Sequence, residues 1–217
     1  MKYRISEVEE RVYALLDENK TIADQLVDFT DPGMSISELV RMYLPEAANR
    51  TILELPVDEF RECRHIYLRA EEGDALLTQA AAPKIAANSV THLADGRARL
   101  DLPSDFVRLV NFRMSDWDYG VSSPLLYGSD ACRLRLANYT RGGRRRSRPA
   151  VTIFTAGESR IMYIFGTSAG ARIAEFDYLP CAEIVDEIVE IPLGAFDEMC
   201  RRIAAMIKSN LRHQKIL

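Results

Sequence analysis

The side chains of this sequence with the clearest chemical potential lie in one basic run. Eight consecutive positions, 141–148, hold five arginines: Arg141, Arg144, Arg145, Arg146 and Arg148. A guanidinium group binds a phosphate or a carboxylate through two parallel hydrogen bonds, so nucleic acid and an acidic protein surface are both suitable partners. A solvated loop is the third alternative, and composition alone leaves all three open.

The other reactive side chains follow no catalytic or metal-binding spacing. The serines of "FGTSAGA" (165–171) do not match G-x-S-x-G, and the glycines there lead into a predicted strand, whereas a phosphate loop leads into a helix. The acidic residues of "EIVDEIVE" (183–190) are predicted to form a solvated edge. We therefore expect no enzymatic activity, no cofactor and no bound metal.

The charge distribution favours a partner of complementary charge. The chain has 28 basic and 32 acidic residues, and residues 133–148 hold seven arginines and no acid. Without these arginines, 21 basic residues stand against 32 acidic ones, a formal charge of -11. A general DNA-binding protein is usually basic overall, so an acidic body with one basic spot favours a protein partner, including a second copy.

Length and hydropathy indicate a folded chain outside the membrane. The 217 residues are 47% hydrophobic, which is enough for one domain with a packed core. No apolar run reaches the roughly 18 residues of a membrane span, and the first residues lack the apolar region of a signal peptide. The four cysteines are scattered without a C-x-x-C pair and are predicted to be reduced thiols.

Helical periodicity is found at both ends of the chain. Ser6 with Glu9 and Ser35 with Glu38 fit the capping box, so helices are predicted over 6–19 and from residue 36. Pro45 is expected to kink or divide the second of these helices. A closing helix is predicted from one apolar stripe: Leu193, Phe196, Cys200, Ile203, Ile207 and Leu211.

The middle of the chain has the alternation of strands. Two strands are predicted around the Asp95-Gly96 turn, followed by a long strand with Phe106, Arg108, Val110, Phe112 and Met114 on one face. Four more strands are predicted at 132–139, 149–154, 160–166 and 172–179, with the arginine run as the loop between the first two.

These patterns predict an α+β fold in which N- and C-terminal helices form a helical bundle with a central antiparallel β-rich module inserted. The predicted parts are residues 1–85, the β-rich module 86–180, and a C-terminal helix in 181–217 that completes the helical part. The three parts are expected to form one continuous structural unit.

Three stretches of the chain resemble a known protein family. They are "ADGRARLDLPSDFVRLVNFRMSDWDYGV" (94–121), "ANYTRGGRRRSRPAVTIF" (137–154) and "AEFDYLP" (174–180), and "LPEAA" (44–48) also fits. Together they resemble the head-to-tail connector proteins, also called portal adaptor or neck proteins, of tailed phages that infect Bacteroidales, including the crAss-like group. The positions that carry the resemblance are Leu102, Pro103, Asp105, Phe106, Arg108, Leu109, Val110, Phe112, Met114, Trp117, Asn138, Tyr139, Thr140, Arg141, Gly142, Gly143, Arg148, Pro149, Val151, Tyr178 and Pro180. The arginines of "RRRS" (144–147) depart from the family pattern.

The resemblance implies a structural virion protein and its partners. Such proteins form a ring, usually a dodecamer, that binds beneath the portal protein, extends the DNA channel and docks the tail. Genome DNA would pass through without specific binding, and the protein would lie in the virion neck after assembly in the host cytoplasm. No membrane is involved.

The charge pattern and the resemblance together indicate candidate contact residues. The five arginines of 141–148, with Trp117 and Tyr139, are predicted to contact an adjacent subunit or a neck protein. For Trp117 the alternative is a partly buried anchor, since it lies at a strand end. The terminal helix is expected to dock on the portal through its basic residues: Arg201, Arg202, Lys208, Arg212 and Lys215. The arginine run is expected to lie away from the channel lining, because arginines there would bind DNA phosphates.

Two other functions stay open at this point. One is a different virion ring component, such as a tail-terminator or tube-interface protein, which would share the same composition. The other is a nucleic-acid-binding accessory protein that uses the Arg141–Arg148 loop, whose affinity would fall steeply with salt.

Overall fold

The computed structural model of the protein describes residues 1–17, 34–70, 76–78, 89–140, 148–157 and 159–214. The chain is a mixed α+β protein with several antiparallel sheets, which confirms the predicted fold class at that level. It divides into a helical unit, residues 1–64 with 181–217, and a β-rich unit, residues 65–180. The predicted boundary between residues 85 and 86 lies outside the described residues.

Four helices and twelve strands are described. The helices are α1 (Ile5–Asp17), α2 (Ile36–Glu54), α3 (Asp130–Thr140) and α4 (Phe196–Gln214), with 3₁₀ turns at Val57–Glu62 and Leu193–Ala195. The strands are β1 (Lys2–Arg4), β2 (Ile66–Ala70), β3 (Leu76–Thr78), β4 (Thr91–His92), β5 (Ala98–Asp101), β6 (Phe106–Met114), β7 (Leu125–Leu126), β8 (Ala150–Ala156), β9 (Ser159–Phe165), β10 (Ile173–Pro180), β11 (Ile184–Val185) and β12 (Ile188–Glu190).

The helical unit is built from both ends of the chain. Helices α1, α2 and α4 pack against one another through buried apolar faces. A small antiparallel sheet in the order β1-β12-β11 adds to this unit, with Tyr3 opposite Val189. The backbone N–H of Ile191 donates to the carbonyl of Met1 at 3.0 Å. Residues 1–4 and residues 188–191, which are distant in sequence, therefore depend on each other for their hydrogen bonds.

Helix α4 confirms the predicted closing helix. Cys200, Ile203 and Ile207 are fully buried, as the 3–4 spacing requires. Leu193, which was assigned to the same stripe, is 57% exposed. It lies in the 3₁₀ turn before the helix begins at Phe196, so the helical period does not extend to it.

Helix α2 begins at the predicted capping box. The Ser35 Oγ accepts from the N–H of Glu38 at 3.3 Å, and the Glu38 carboxylate accepts from the N–H of Ser35 at 2.6 Å. The helix continues through Pro45 to Glu54, so Pro45 does not divide it. Pro45 lies on the exposed side, where a missing backbone hydrogen bond is cheapest, and buried Leu44 and Ala47 beside it hold the helix by packing.

Helix α1 starts earlier than predicted, and the capping box of Ser6 with Glu9 is wrong. Ile5 is already helical, which puts Ser6 inside the first turn. The Glu7 carboxylate instead accepts from the backbone N–H of Arg4 at 2.8 Å. Glu9 accepts from the Ser37 hydroxyl at 2.5 Å, a contact between α1 and α2 that local spacing cannot show.

The β-rich unit holds two sheets that share one core. The four-stranded sheet has the order β3-β2-β10-β6 and is antiparallel throughout. The five-stranded sheet has the order β4-β5-β9-β8-β7, in which only the β7–β8 pair is parallel. The predicted turn at Asp95-Gly96 is confirmed, with Gly96 at a φ of 88°. Side chains of both sheets meet in one buried cluster: Leu68, Ala98, Leu100, Phe106, Leu109, Phe112, Met114, Trp117, Val151, Met162, Ile164, Ala171, Ile173, Phe176 and Tyr178.

Strand β6 is the predicted long strand, but its faces differ from the prediction. Its register against β10 shifts at Val107 and at Val110, each an extra residue in the ladder. Each bulge reverses the inward and outward alternation. The core side chains of β6 are therefore Phe106, Leu109, Phe112 and Met114, while Arg108 and Val110 are only half-buried.

The predicted strand at 132–139 is wrong, because these residues form helix α3. The alternation of "CRLRL" imitates a strand, yet of its apolar side chains Cys132 is buried and Leu134 is 65% exposed. Ser129 supplies the helix start: its hydroxyl accepts from the N–H of Cys132 at 3.3 Å. Asp130 in the first turn complements the helix dipole, and alanine, leucine and arginine all favour helix.

The two serines of the capping-box predictions allow a matched test. Ser35→Ala removes the side-chain acceptor at the start of α2, so we expect a loss of about 1 kcal/mol in the free energy of unfolding. Ser6→Ala removes a side chain inside α1 and should cost nothing, since alanine is the better helix former. Urea denaturation of both variants measures the difference, and equal losses would contradict the assignment of the two helix starts.

Candidate interaction surfaces

The arginine run lies mostly outside the described residues. Arg141, Arg144, Arg145 and Arg146 fall within 141–147, and nothing tests their predicted contacts. Arg148 is described and exposed, two residues before β8 begins at Ala150. The element before the run is helix α3 and not the predicted strand, so the run connects a helix to the five-stranded sheet.

Trp117 is a core residue, so the contact surface predicted for its ring is not available. Its indole is 4% exposed, and its Nε1–H donates to the Gly166 carbonyl at 2.8 Å. The ring meets Phe112 edge to face, with centroids 5.7 Å apart. This arrangement corresponds to the alternative of a buried anchor. Tyr139 lies in the last turn of α3.

Two of the five predicted docking cations are used within the helical unit. Arg202 binds both oxygens of Glu54 on α2, at 3.1 and 2.6 Å. The Lys208 ammonium donates to the Leu15 carbonyl in the last turn of α1, at 3.3 Å. A helix end leaves such carbonyls without helix partners, and a cation there is favoured by the helix dipole. Both residues therefore join helices within the helical unit.

Of the remaining docking candidates, Arg201 is the one whose side chain the structure describes. Arg201 is 60% exposed and contacts Glu198 on the same helix at 3.4 Å. A pair of this kind on a helix surface contributes little to stability, so its guanidinium can change partner at low cost. The Arg212 side chain and all of Lys215 lie outside the described parts of the chain.

An aromatic row on the five-stranded sheet was not predicted. The rings of Tyr127 and Phe154 are stacked with centroids 4.9 Å apart, and Phe154 meets Tyr163 at 5.0 Å. The Arg97 guanidinium carbon lies 4.6 Å from the centroid of the Tyr163 ring, within the range of a cation–π interaction. We call these four side chains the aromatic row. The strand register brings these side chains together, and the sequence alone does not show that register.

The arginine of the aromatic row is held in place by a neighbouring carboxylate. Arg97 Nε donates to Asp95 at 2.7 Å, and the backbone N–H of Arg97 donates to the same carboxylate at 3.1 Å. These hydrogen bonds lower the pKa of Asp95 below its ordinary value. Asp95 stays ionised, so it fixes the orientation of Arg97 over the ring of Tyr163.

The outer face of the four-stranded sheet carries a polar cluster whose members bind each other. His65 Nδ1 and the Asp177 carboxylate are 3.0 Å apart, and Glu175 accepts from Asn111 at 3.0 Å and from Arg113 at 2.9 Å. Burial raises the pKa of Asp177, and the contact with His65 partly offsets that effect. Both carboxylates of the cluster therefore have hydrogen-bond partners within it.

The predicted acidic edge at 183–190 is bound by arginines of the helical unit. Glu183 pairs with Arg64, and both oxygens of Glu187 accept from Arg41, at 2.5 and 2.7 Å. Hydrogen bonding to Arg41 lowers the pKa of Glu187. Among the described residues, no group of three histidine, cysteine or acidic side chains is placed to hold a metal ion.

The two units have opposite formal charges. The helical unit has 13 basic and 20 acidic residues, a charge of -7, and the β-rich unit has 15 basic and 12 acidic residues, a charge of +3. Counting only residues that the structure describes gives 11 against 16 for the helical unit and 10 against 8 for the β-rich unit. Without the four arginines of 141–147 the β-rich unit would have 11 basic and 12 acidic residues, so its positive formal charge depends on this run.

Comparison of the sequence with known protein families and with curated proteins finds no match. None of the described helices is long and apolar enough to span a membrane.

The link between Glu54 and Arg202 predicts a pH-dependent stability. Hydrogen bonding to Arg202 lowers the pKa of Glu54 from 4.5, so the stabilisation is complete above pH 4.5 and is lost as the pH falls through the lowered pKa. We expect Glu54→Gln to lower the Tm at pH 7 and to approach the wild-type Tm below pH 4.5.

The control for this variant is Glu46→Gln. Glu46 pairs with Arg50 at 2.6 Å within α2, so the substitution removes an exposed ion pair without affecting α4. Its effect on the Tm at pH 7 should be much smaller. Equal Tm losses for both variants, or a Glu54→Gln loss that does not change with pH, would contradict a structural role for Arg202.

Proposed function

We propose that this chain is a structural subunit of the neck of a tailed phage, a head-to-tail connector that forms a ring beneath the portal protein. In this proposal the helical unit is a bundle, and residues 65–180 are the β-rich module inserted into it. The ring extends the DNA channel and offers a surface to the next neck or tail protein.

One observation carries the proposal: the three stretches that resemble connector proteins converge in the β-rich unit. Strand β6 of the first stretch pairs along its length with β10 of the third. Val151 of the second stretch packs in the same buried cluster as Phe112 and Tyr178 of the other two. The Tyr178 hydroxyl donates to the Asp105 carboxylate at 3.2 Å, which joins the first and third stretches again. Residues distant in sequence thus form one structural unit, as a shared fold would require.

The charge distribution also supports a ring. Each copy in a closed ring contacts its neighbours through two different surfaces. A helical unit of charge -7 and a β-rich unit of +3 are such unlike surfaces within one chain. Contacts between unlike units attract, while contacts between like units repel, so the charges favour head-to-tail assembly.

The proposed contact with the portal centres on Arg201. Arg202 and Lys208 already bind groups of the helical unit, so docking would depend on Arg201, with Arg212 and Lys215 as further candidates. Arg201→Glu should then weaken portal binding with little loss of stability. Arg202→Glu should lower stability itself, because it leaves Glu54 beside a second carboxylate.

Light scattering with and without the portal protein of the same phage tests the proposal. We expect a species near the monomer mass of 24.6 kDa alone, and a ring-sized mass increase on the portal.

Replacing Arg144, Arg145 and Arg146 by serine should weaken ring formation and leave the Tm unchanged. No binding to the portal would contradict the proposal. DNA binding that falls steeply with salt would instead favour a nucleic-acid accessory protein.

A further inference from the structure

The aromatic row marks an interaction surface on the β-rich unit. We propose that this surface binds the acidic helical unit of a second copy of the chain, which makes it one side of the subunit contact in the ring. The inference rests on the proposed function for the ring itself, and it adds which surfaces meet.

The row is one continuous surface, because the strand register brings its members together. Tyr163 on β9 lies opposite Thr152 on β8, and the parallel pair of Leu126 with Ile153 places Tyr127 beside Phe154. The open end of the row is Tyr127, which is 53% exposed, next to Leu126, which is 78% exposed. An exposed tyrosine ring at the end of a packed aromatic stack is typical of a contact surface.

The rings are already in the conformation that a contact would need. Each ring is held by its neighbour in the stack, and Arg97 is fixed over Tyr163 by Asp95. Binding would therefore cost little side-chain entropy at these residues. Tyrosine and arginine are also the residue types enriched among the side chains that dominate binding energy in protein interfaces.

Charge identifies the partner as the helical unit. Two arginines lie near the row: half-buried Arg99 is opposite Tyr163 in the register, and exposed Arg148 lies two residues before β8. The helical unit offers exposed carboxylates for them: Glu10, Asp17, Asp58, Asp186 and Glu190. It also exposes Leu53, Val57 and Leu193, which are apolar groups suited to the rings.

Nucleic acid is the less suitable partner for the same surface. Arg97 is bound to Asp95, and Arg99 contacts Asp101 at 2.8 Å, so a carboxylate stands beside each of these guanidinium groups. These carboxylates repel phosphates, whereas a protein surface supplies both signs of charge and can pair with arginine and aspartate together. The mixed charge around the row therefore favours a protein.

Photo-crosslinking tests the proposal with a matched control in the same unit. A p-benzoylphenylalanine probe replaces Leu126 beside the row, or Tyr119, a tyrosine outside the row that is 52% exposed. Each protein is mixed with a ¹⁵N-labelled copy, at high concentration and on the portal, so that mass spectrometry separates contacts between copies from contacts within one copy. Single-stranded oligonucleotide is added in a parallel sample.

We expect the probe at position 126 to crosslink to residues 1–64 or 181–217 of the labelled copy, and the probe at 119 to give background. Tyr127→Ala should reduce the crosslinks from position 126 about tenfold, and Tyr119→Ala should not change them. Raised salt should reduce them as well, because it screens the attraction. Background crosslinking at 126 under both conditions, crosslinks to the β-rich unit of the second copy, or preferential crosslinks to the oligonucleotide would overturn the inference.

The crosslinking experiment and the portal-binding experiment can fail independently of each other. If the chain forms a ring on the portal but position 126 gives only background, the proposed function stands and this contact surface is wrong. If position 126 crosslinks as expected but the portal does not bind the chain, the copies use this surface in some other assembly.

Discussion

The antiparallel pairing of β6 with β10 is the interaction on which the β-rich unit depends. It aligns Phe106 and Phe112 of one strand with Phe176 and Tyr178 of the other, and their rings form contacts of 5.0 to 6.2 Å between centroids. Strand β2 adds to the free edge of β10, and the five-stranded sheet packs its apolar residues onto the same cluster. A break in this pairing would expose the aromatic side chains of both strands, so the pairing constrains both sheets at once.

Helices and strands were predicted correctly where the hydrophobic period of the sequence agrees with burial in the structure. The errors lie where a partner strand or a helix cap overrides that period. The stripe of Cys200, Ile203 and Ile207 predicts α4 correctly because helical period and burial agree. The faces of β6 could not be read from alternation, because bulges at Val107 and Val110 depend on the partner strand. Helix α3 was missed because "CRLRL" alternates like a strand, while the decisive signal, the cap at Ser129, precedes it.

The candidate surfaces were harder to predict than the fold, because the amino-acid sequence does not show which groups of the same chain a charged side chain contacts. Arg202 and Lys208 are basic residues on the charged side of a helix, yet they bind Glu54 and the Leu15 carbonyl across the helical unit. The aromatic row needs the register of three strands, including a parallel pair that no local pattern indicates. The acidic body with a basic spot was visible in composition. The division into two units places the excess of acidic residues in the helical unit and the arginine run in the β-rich unit.

The central claim is that copies of this chain join through units of opposite charge. An electron cryo-microscopy reconstruction of the virion neck tests it most directly, because it shows every contact between neighbouring copies together. The account predicts a ring in which the β-rich unit of each copy lies on the helical unit of the next, with residues 141–148 turned away from the channel axis. Copies joined through like units, or arginines of that run directed at the DNA, would contradict it.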